Sequence, residues 1–215
     1  MIRVKNLSMK FDDFTAVDDL SFDVAEGEVL GFLGPNGAGK STTMKIISGF
    51  LQATGGEVSV CGLMVDSDPQ KVQQIMGYLP EGAPAYSEMT VWAFLDFIAQ
   101  VRGFSGEEKR QRLQAVIDQV QLQSVLHQVI ETLSKGFVRR VGLAQAIMHD
   151  PKVLILDEPT DGLDPNQKHQ VRELIKSLSK DKIVIISTHI LEEVSAVCSR
   201  ALIINQGKLL LDDHP

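Results

Sequence analysis

Residues 34–41, GPNGAGKS, follow the pattern G-x-x-x-x-G-K-[ST]. In that pattern glycines let backbone N–H groups turn inward around phosphate oxygens. Gly34, Pro35, Asn36, Gly37, Ala38 and Gly39 are the candidate cradle, with Lys40, Ser41 and Thr42 at its closing end. A lysine at position 40 would reach the β and γ phosphates, and the Ser41 hydroxyl would ligate Mg²⁺. A helix opening near Gly39 adds the partial positive charge of its N-terminus. The plainer alternative is a glycine turn with a surface lysine. Further along, Asp157 and Glu158 end the apolar run 153–156. Alternation along a strand sends adjacent side chains in different directions. Asp157 can then hold the metal's water shell while Glu158 faces the attacking water as general base. Alone, the pair would be a strand end capped by acids. Beside a phosphate loop that plainer reading becomes unlikely, and the loop by itself does not separate a kinase, a GTPase and a transport ATPase.

These residues need elements to hold them. Strands are expected at 2–7, 20–24 and 29–33, the last running into the glycine loop, after which Met44, Ile47 and Phe50 keep a helical spacing. An extended pair is expected around 57–61 and a strand at 76–79. From about 90 to 148 the pattern turns helical, with one stripe through Val91, Phe94, Leu95, Ile98 and Val101. Leu113, Val116, Ile117 and Val120 make a second, and Phe137, Val141, Ala144 and Met148 a third. After a strand at 152–156 come a helix around Val171, Leu174, Ile175 and Leu178, a strand at 183–187, a short helix from Ile190 and a strand at 201–205. Strands alternating with helices predict a parallel sheet covered on both faces. The whole of 1–215 is expected to form one domain, an α/β core from 1–89 and 149–215 with a helical subdomain inserted at 90–148.

Composition narrows the partners. With 21 Lys and Arg against 28 Asp and Glu the net charge is −7, which argues against a general polyanion binder, so no nucleic-acid partner is expected. Unbroken apolar runs such as 153–156 and 183–186 fall far short of the ~20 residues that span a bilayer. The first residues lack the apolar core of a secretory signal, and Cys61 and Cys198 form no close-spaced ligand motif. The expectation is a cytosolic protein with free thiols and no structural zinc. The tail LDDHP shows no helix or cap signal, which leaves room for a longer natural chain.

Taken in order, GPNGAGKS, LSKGF at 133–137, VLILDEP at 153–159, DGLD at 161–164 and His189 after IVIIST resemble the ATPase subunits of ABC transporters. LSKGF looks like that family's signature sequence, which kinases and GTPases with phosphate loops lack. The resemblance implies a P-loop ATPase core with a mainly parallel sheet, an N-terminal antiparallel β subdomain and the inserted helical subdomain. It implies ATP and Mg²⁺ as ligands and a head-to-tail dimer with an identical or related subunit. Each ATP would lie between the phosphate loop of one subunit and Ser134, Lys135 and Gly136 of the other. By the same resemblance His189 contacts the γ phosphate and helps orient Glu158, and Asp164 crosses the dimer interface. Phe11 matches the aromatic that stacks on adenine, with Phe14 as competitor and a core ring as the plain alternative. A membrane-spanning permease would be gripped near 82–92, where Pro84, Tyr86, Met89 and Trp92 are apolar for a loop. That would hold the ATPase on the inner face of the cell membrane. Trp92 taken alone reads better as packing within the helical subdomain.

Four positions depart from the commonest family pattern. Glu81 stands where most members have Gln, and as a metal contact it would repel the γ phosphate if unneutralised. Lys135 and Phe137 replace Gly and Gln in the signature, and Asp161 replaces Ser. Lys135, Arg139 and Arg140 read equally as a solvated basic face or as nucleotide contacts. YLPEGAPAYSEMTV together with LSKGF resembles a branch serving small two-part exporters. The competing functions are a soluble ABC-type ATPase acting on DNA or ribosomes and a regulator that binds ATP without turnover.

Overall fold

The computed structural model describes residues 1–83 and 85–214. Strands β1 (Ile2–Phe11) and β2 (Phe14–Val24) form a hairpin, and β3 (Val29–Leu33) leads through the glycine loop into helix α1 (Lys40–Ile47). Next come β4 (Gly55–Val60), β5 (Leu63–Met64), α2 (Pro69–Gln74) and β6 (Met76–Leu79). Three helices follow, α3 (Val91–Val101), α4 (Gly106–Val120) and α5 (Lys135–Ile147). The remainder is β7 (Val153–Asp157), α6 (Pro165–Leu178), β8 (Ile183–Thr188), α7 (Leu191–Val197), β9 (Arg200–Asn205) and β10 (Lys208–Asp213).

Two sheets result. One is antiparallel, in the order β2-β1-β4-β5, and the other runs β10-β9-β3-β8-β7-β6, parallel throughout except for β10. The central strands read as unbroken apolar runs because both of their faces are covered. In β7, Val153 and Ile155 join the core beneath the antiparallel sheet and α1, while Leu154 and Leu156 join the core shared with the helices. Ile183 and Ile185 of β8 divide from Val184 and Ile186 in the same way. The helical stripes supply the second core: Val91, Phe94 and Leu95 of α3, Leu113, Val116, Ile117 and Val120 of α4, and Val141 and Ala144 of α5 are all buried. Helix α5 lies so close on β6 that a Cβ at Gly77 would stand 2.1 Å from the Ala146 carbonyl oxygen. The strand bearing Glu81 at its exit and the helix opening at the signature are therefore packed directly together.

Several elements differ from the sequence expectation. The first hairpin is longer than 2–7 and 20–24 suggest. Its pairing is interrupted by register shifts, which break the alternation a strand is recognised by. Asn6 and Asp19 sit there at left-handed φ of 48° and 54°, joined by a 2.8 Å hydrogen bond from Asn6 Nδ2 to Asp19 Oδ1. Helix α2 was not expected; six residues opened by a proline carry too little periodicity to stand out. Phe50 lies beyond α1 and Val101, at the end of α3, faces solvent. The tail, which showed no signal of its own, forms β10. It pairs back on β9 through Gln206 and Gly207, both at positive φ as a tight hairpin requires.

Candidate active site

The glycine loop is fixed from both ends. Gly39 has φ of +101° and lies where a Cβ would come within 2.5 Å of the Ala16 carbonyl of β2, so only glycine fits. Lys40 opens α1 with Gly39 as its N-cap. Its ammonium is buried, donating to the carbonyls of Gly34 (2.7 Å) and Pro35 (3.2 Å) and standing 3.9 Å from Glu158 Oε1. A cleft of about 390 Å³ lies over this loop. Asn36 through Thr42 line it, opposite Glu81, Asp157 and Glu158. Gly34 and Pro35 are not among its lining; their carbonyls accept from Lys40.

Of the two candidate rings, Phe14 lines the cleft and Phe11 does not. The two residues are partners across the hairpin, joined by the two-residue turn at Asp12 and Asp13. Sequence spacing could not separate them, since which ring faces the loop depends on how the hairpin sits on the core. Phe14 is therefore the ring that lies at the cleft.

At the exit of β7 the two acids take separate partners. Asp157 accepts a short hydrogen bond from the Ser187 hydroxyl of the neighbouring β8. Glu158 adopts left-handed φ of +49°, a conformation uncommon for a residue with a side chain and frequent where function fixes the backbone. Its N–H is held there by the Ser187 hydroxyl (3.0 Å) and carbonyl (3.2 Å). Its carboxylate points instead to His189, whose Nδ1 lies 3.0 Å from Glu158 Oε1. Ser187 thus holds both acids, a role that sequence inspection missed. The only available signal was a hydroxyl residue at the end of the apolar run 183–186.

The signature residues lie elsewhere. Ser134 caps α5, its hydroxyl accepting from the Phe137 N–H at 3.4 Å, and Ser134 and Lys135 are both exposed. Gly136 is buried against the Gln167 side chain. Asp164 is exposed and caps α6, its Oδ1 accepting from Gln167 N–H at 3.0 Å. Within one chain these residues do not meet the phosphate loop. A second cavity, of about 300 Å³, is lined by Glu81, Lys135, Arg139 and Asp161 among others.

Arg139 is a correction to the solvated basic face: it is only 7% exposed, and its guanidinium donates to the Pro80 carbonyl at 3.3 Å. Burial pushes its pKa below the ordinary value, while Asp161, Glu81, Asp157 and Glu158 pull the other way. Arg140 is half-buried, bonded to Gln170 and to Gln121, and only Lys135 of the three is exposed.

A further cavity of about 1070 Å³ lies away from the phosphate loop. It is a mainly apolar groove between α1, α2, β6 and α3, walled by Phe50, Tyr78, Ile98 and Val101. Tyr78 stacks on Phe50 at 5.7 Å, and burial, followed by the charges of Asp157 and Glu81, pushes its phenol up to about 12. Near 82–92, Tyr86 and Trp92 are exposed, Trp92 more so than packing in the helical subdomain predicts. Met89 is half-buried, and Pro84 lies outside the described residues. Burial drives the Cys198 thiol up to about 12, disfavouring its thiolate. Among the described residues no cluster of three or more His, Cys, Asp or Glu could hold a metal, and no helix is long and apolar enough to cross a membrane.

Residues 17–161 match the family described as ABC transporter. The chain is 38% identical over 213 residues to the uncharacterized ABC transporter ATP-binding protein YhcH of Bacillus subtilis (strain 168), a match covering 98% of this chain and 68% of that protein. It is 36% identical over 216 residues to the probable multidrug ABC transporter ATP-binding protein YbhF of Escherichia coli (strain K12), covering 100% of this chain but 37% of that protein. A solved structure of an ATP binding subunit of an ABC transporter aligns with TM-score 0.90 at 30% identity, over 100% of this chain and 90% of that one. The chain belongs to the ABC transporter family. Within it, the chain is of the class of the ATP-binding subunits, which are ATPases. Both named relatives continue beyond the stretch they share with this chain.

Proposed function

We propose that this chain hydrolyses ATP in a Mg²⁺-dependent reaction and that closure of a two-subunit assembly powers a membrane transporter, an exporter. The observation that carries the chemistry is the Glu158 carboxylate, bridged through Oε1 to His189 and near Lys40, beside the buried Asp157. In this reading Lys40 leaves the Gly34 and Pro35 carbonyls to bind the β and γ phosphates, and Glu158 accepts the proton of the attacking water. His189 orients Glu158 and the γ phosphate. Phe14 packs on the base, the part Phe11 was first assigned.

Ser41 and Asp157 fit Mg²⁺ because both offer hard oxygen atoms to one cleft, and two protein ligands suffice for an ion that keeps its waters and binds phosphate. Glu81 is the third candidate ligand. Bound there, Mg²⁺ would neutralise charge developing on the transferred phosphoryl group.

The exposed Ser134 and Lys135, with Gly136 behind them, are the trans half of the site, offered to the phosphate loop of a second ATPase subunit, identical or related. Asp164 belongs to the same interface. The single domain 1–215 divides at about 90 and 148. Its permease contact takes in 82–92 and extends along the apolar groove of Phe50 and Tyr78, which fits an apolar partner. Through that contact the ATPase sits on the inner face of the cell membrane. The probable multidrug assignment of a relative supports export. Phosphate release by Glu158→Gln tests the chemistry: ATP binding should persist while turnover falls by about 10²- to 10⁴-fold. Unchanged turnover would remove Glu158 as general base. Co-purification with a membrane permease, rather than with ribosomes or DNA, tests the transporter.

A further inference from the structure

Glu81 borders two cavities. On one side it faces the phosphate loop with Asp157 and Glu158, and on the other it shares the second cavity with Lys135, Arg139 and Asp161. A carboxylate at this place adds negative charge where phosphate charge accumulates, so something must offset it. Arg139 has the position and burial to do so. It comes from α5, it is almost fully buried, and its guanidinium is anchored on the carbonyl of Pro80, the residue before Glu81. Among the described residues no carboxylate makes an ion pair with it. A buried cation is costly unless charge of opposite sign stands nearby. The acids placed to supply it are Asp161 and Glu81, which share the second cavity with Arg139, with Asp157 and Glu158 beyond.

We propose that Arg139 is a positioning residue whose charge compensates Glu81: it holds the turn at 80–83 and offsets the carboxylate, so that Mg-ATP binds beside an acid in place of an amide. This rests on the reading of the cleft as an ATP site. Arg139 acts on the nucleotide through Glu81 and touches no phosphate itself. Its importance should therefore depend on the charge at position 81, whereas a residue that merely packs α5 against the turn would matter equally whatever stands there.

The test is a double-mutant cycle on the purified chain with Glu81→Gln, Arg139→Gln and both together. Affinity for the Mg²⁺ complex of a non-hydrolysable ATP analogue and the thermal midpoint are both measured. Arg139→Gln should weaken analogue binding about tenfold when Glu81 is present and about twofold or less in the Glu81→Gln background. Arg139→Lys, which keeps charge but not the fork that holds the turn, should retain most of the affinity and lower the midpoint. An equal loss of affinity in both backgrounds would overturn the proposal while leaving the ATP site intact. Failure of the unmodified chain to bind the analogue at all would overturn the ATP reading, and this inference with it.

Discussion

Around the phosphate loop the reactive side chains already hold one another. Lys40 rests on two loop carbonyls, Asp157 takes the Ser187 hydroxyl, and Glu158 meets His189. Around the signature the reverse holds: Ser134 makes a single cap bond of 3.4 Å, and it and Lys135 face outward. The difference follows from what each region must do. Electrostatic stabilisation is effective when donors are fixed before the reaction, and in the proposed shared site the surface that completes another subunit's half has to remain open to it.

Breaking the finished half should have the largest effect. Lys40→Ala should weaken ATP binding by about 10- to 100-fold, the loss expected for charge-assisted hydrogen bonds to phosphate; equilibrium titration of the nucleotide measures it. Next comes Ser187→Ala, which leaves the buried Asp157 without its donor and the Glu158 N–H with the Ser187 carbonyl alone. It should cost about 1–3 kcal/mol in denaturant unfolding and lower turnover as well.

The two halves are tied together at α6 and α7. Glu193 of α7 pairs with Arg172 at 2.7 Å and Lys168 at 3.3 Å on α6, the helix that Asp164 caps, and His189 lies just before α7. Burial alone would raise the Glu193 pKa, but hydrogen bonds from Arg172 and Lys168 outweigh it and hold the carboxyl below its ordinary 4.5. The stability it contributes is therefore complete above about pH 4.5 and disappears as pH falls through the lower folded-state value. Glu193→Gln should flatten that acid limb of the unfolding curve and cost about 2 kcal/mol at neutral pH. Smallest is Glu81→Gln: activity should persist with a Mg²⁺ requirement a few-fold higher, because the amide keeps an oxygen but loses the charge. Overlaid Mg²⁺ titrations of phosphate release would show that Glu81 does not sense the metal.

How much was legible follows the same division. The central strands announced themselves because parallel strands buried on both faces must be apolar throughout, and the expected strand 76–79 coincides with β6. The phosphate loop was legible because its backbone demands glycine at fixed positions. What the sequence hid depended on juxtaposition. Phe11 and Phe14 differ only in which way the hairpin faces, and Ser187 matters only because β8 lies beside β7. Arg139 read equally as a solvated charge or a nucleotide contact, and only the packing of α5 against the turn at Pro80 buries it. The strand β10 was hidden by its exposure, since only a covered face imposes a pattern.

The contrast between the two halves is tested most directly by mixing two inactive chains. Lys40→Ala spoils a phosphate loop but keeps its signature, and Ser134→Arg spoils a signature but keeps its phosphate loop. If ATP is held between subunits, neither variant releases phosphate alone, and the mixture does, because a mixed pair contains one intact site. Ser134→Arg turning over ATP by itself at the unmodified rate would contradict the shared site.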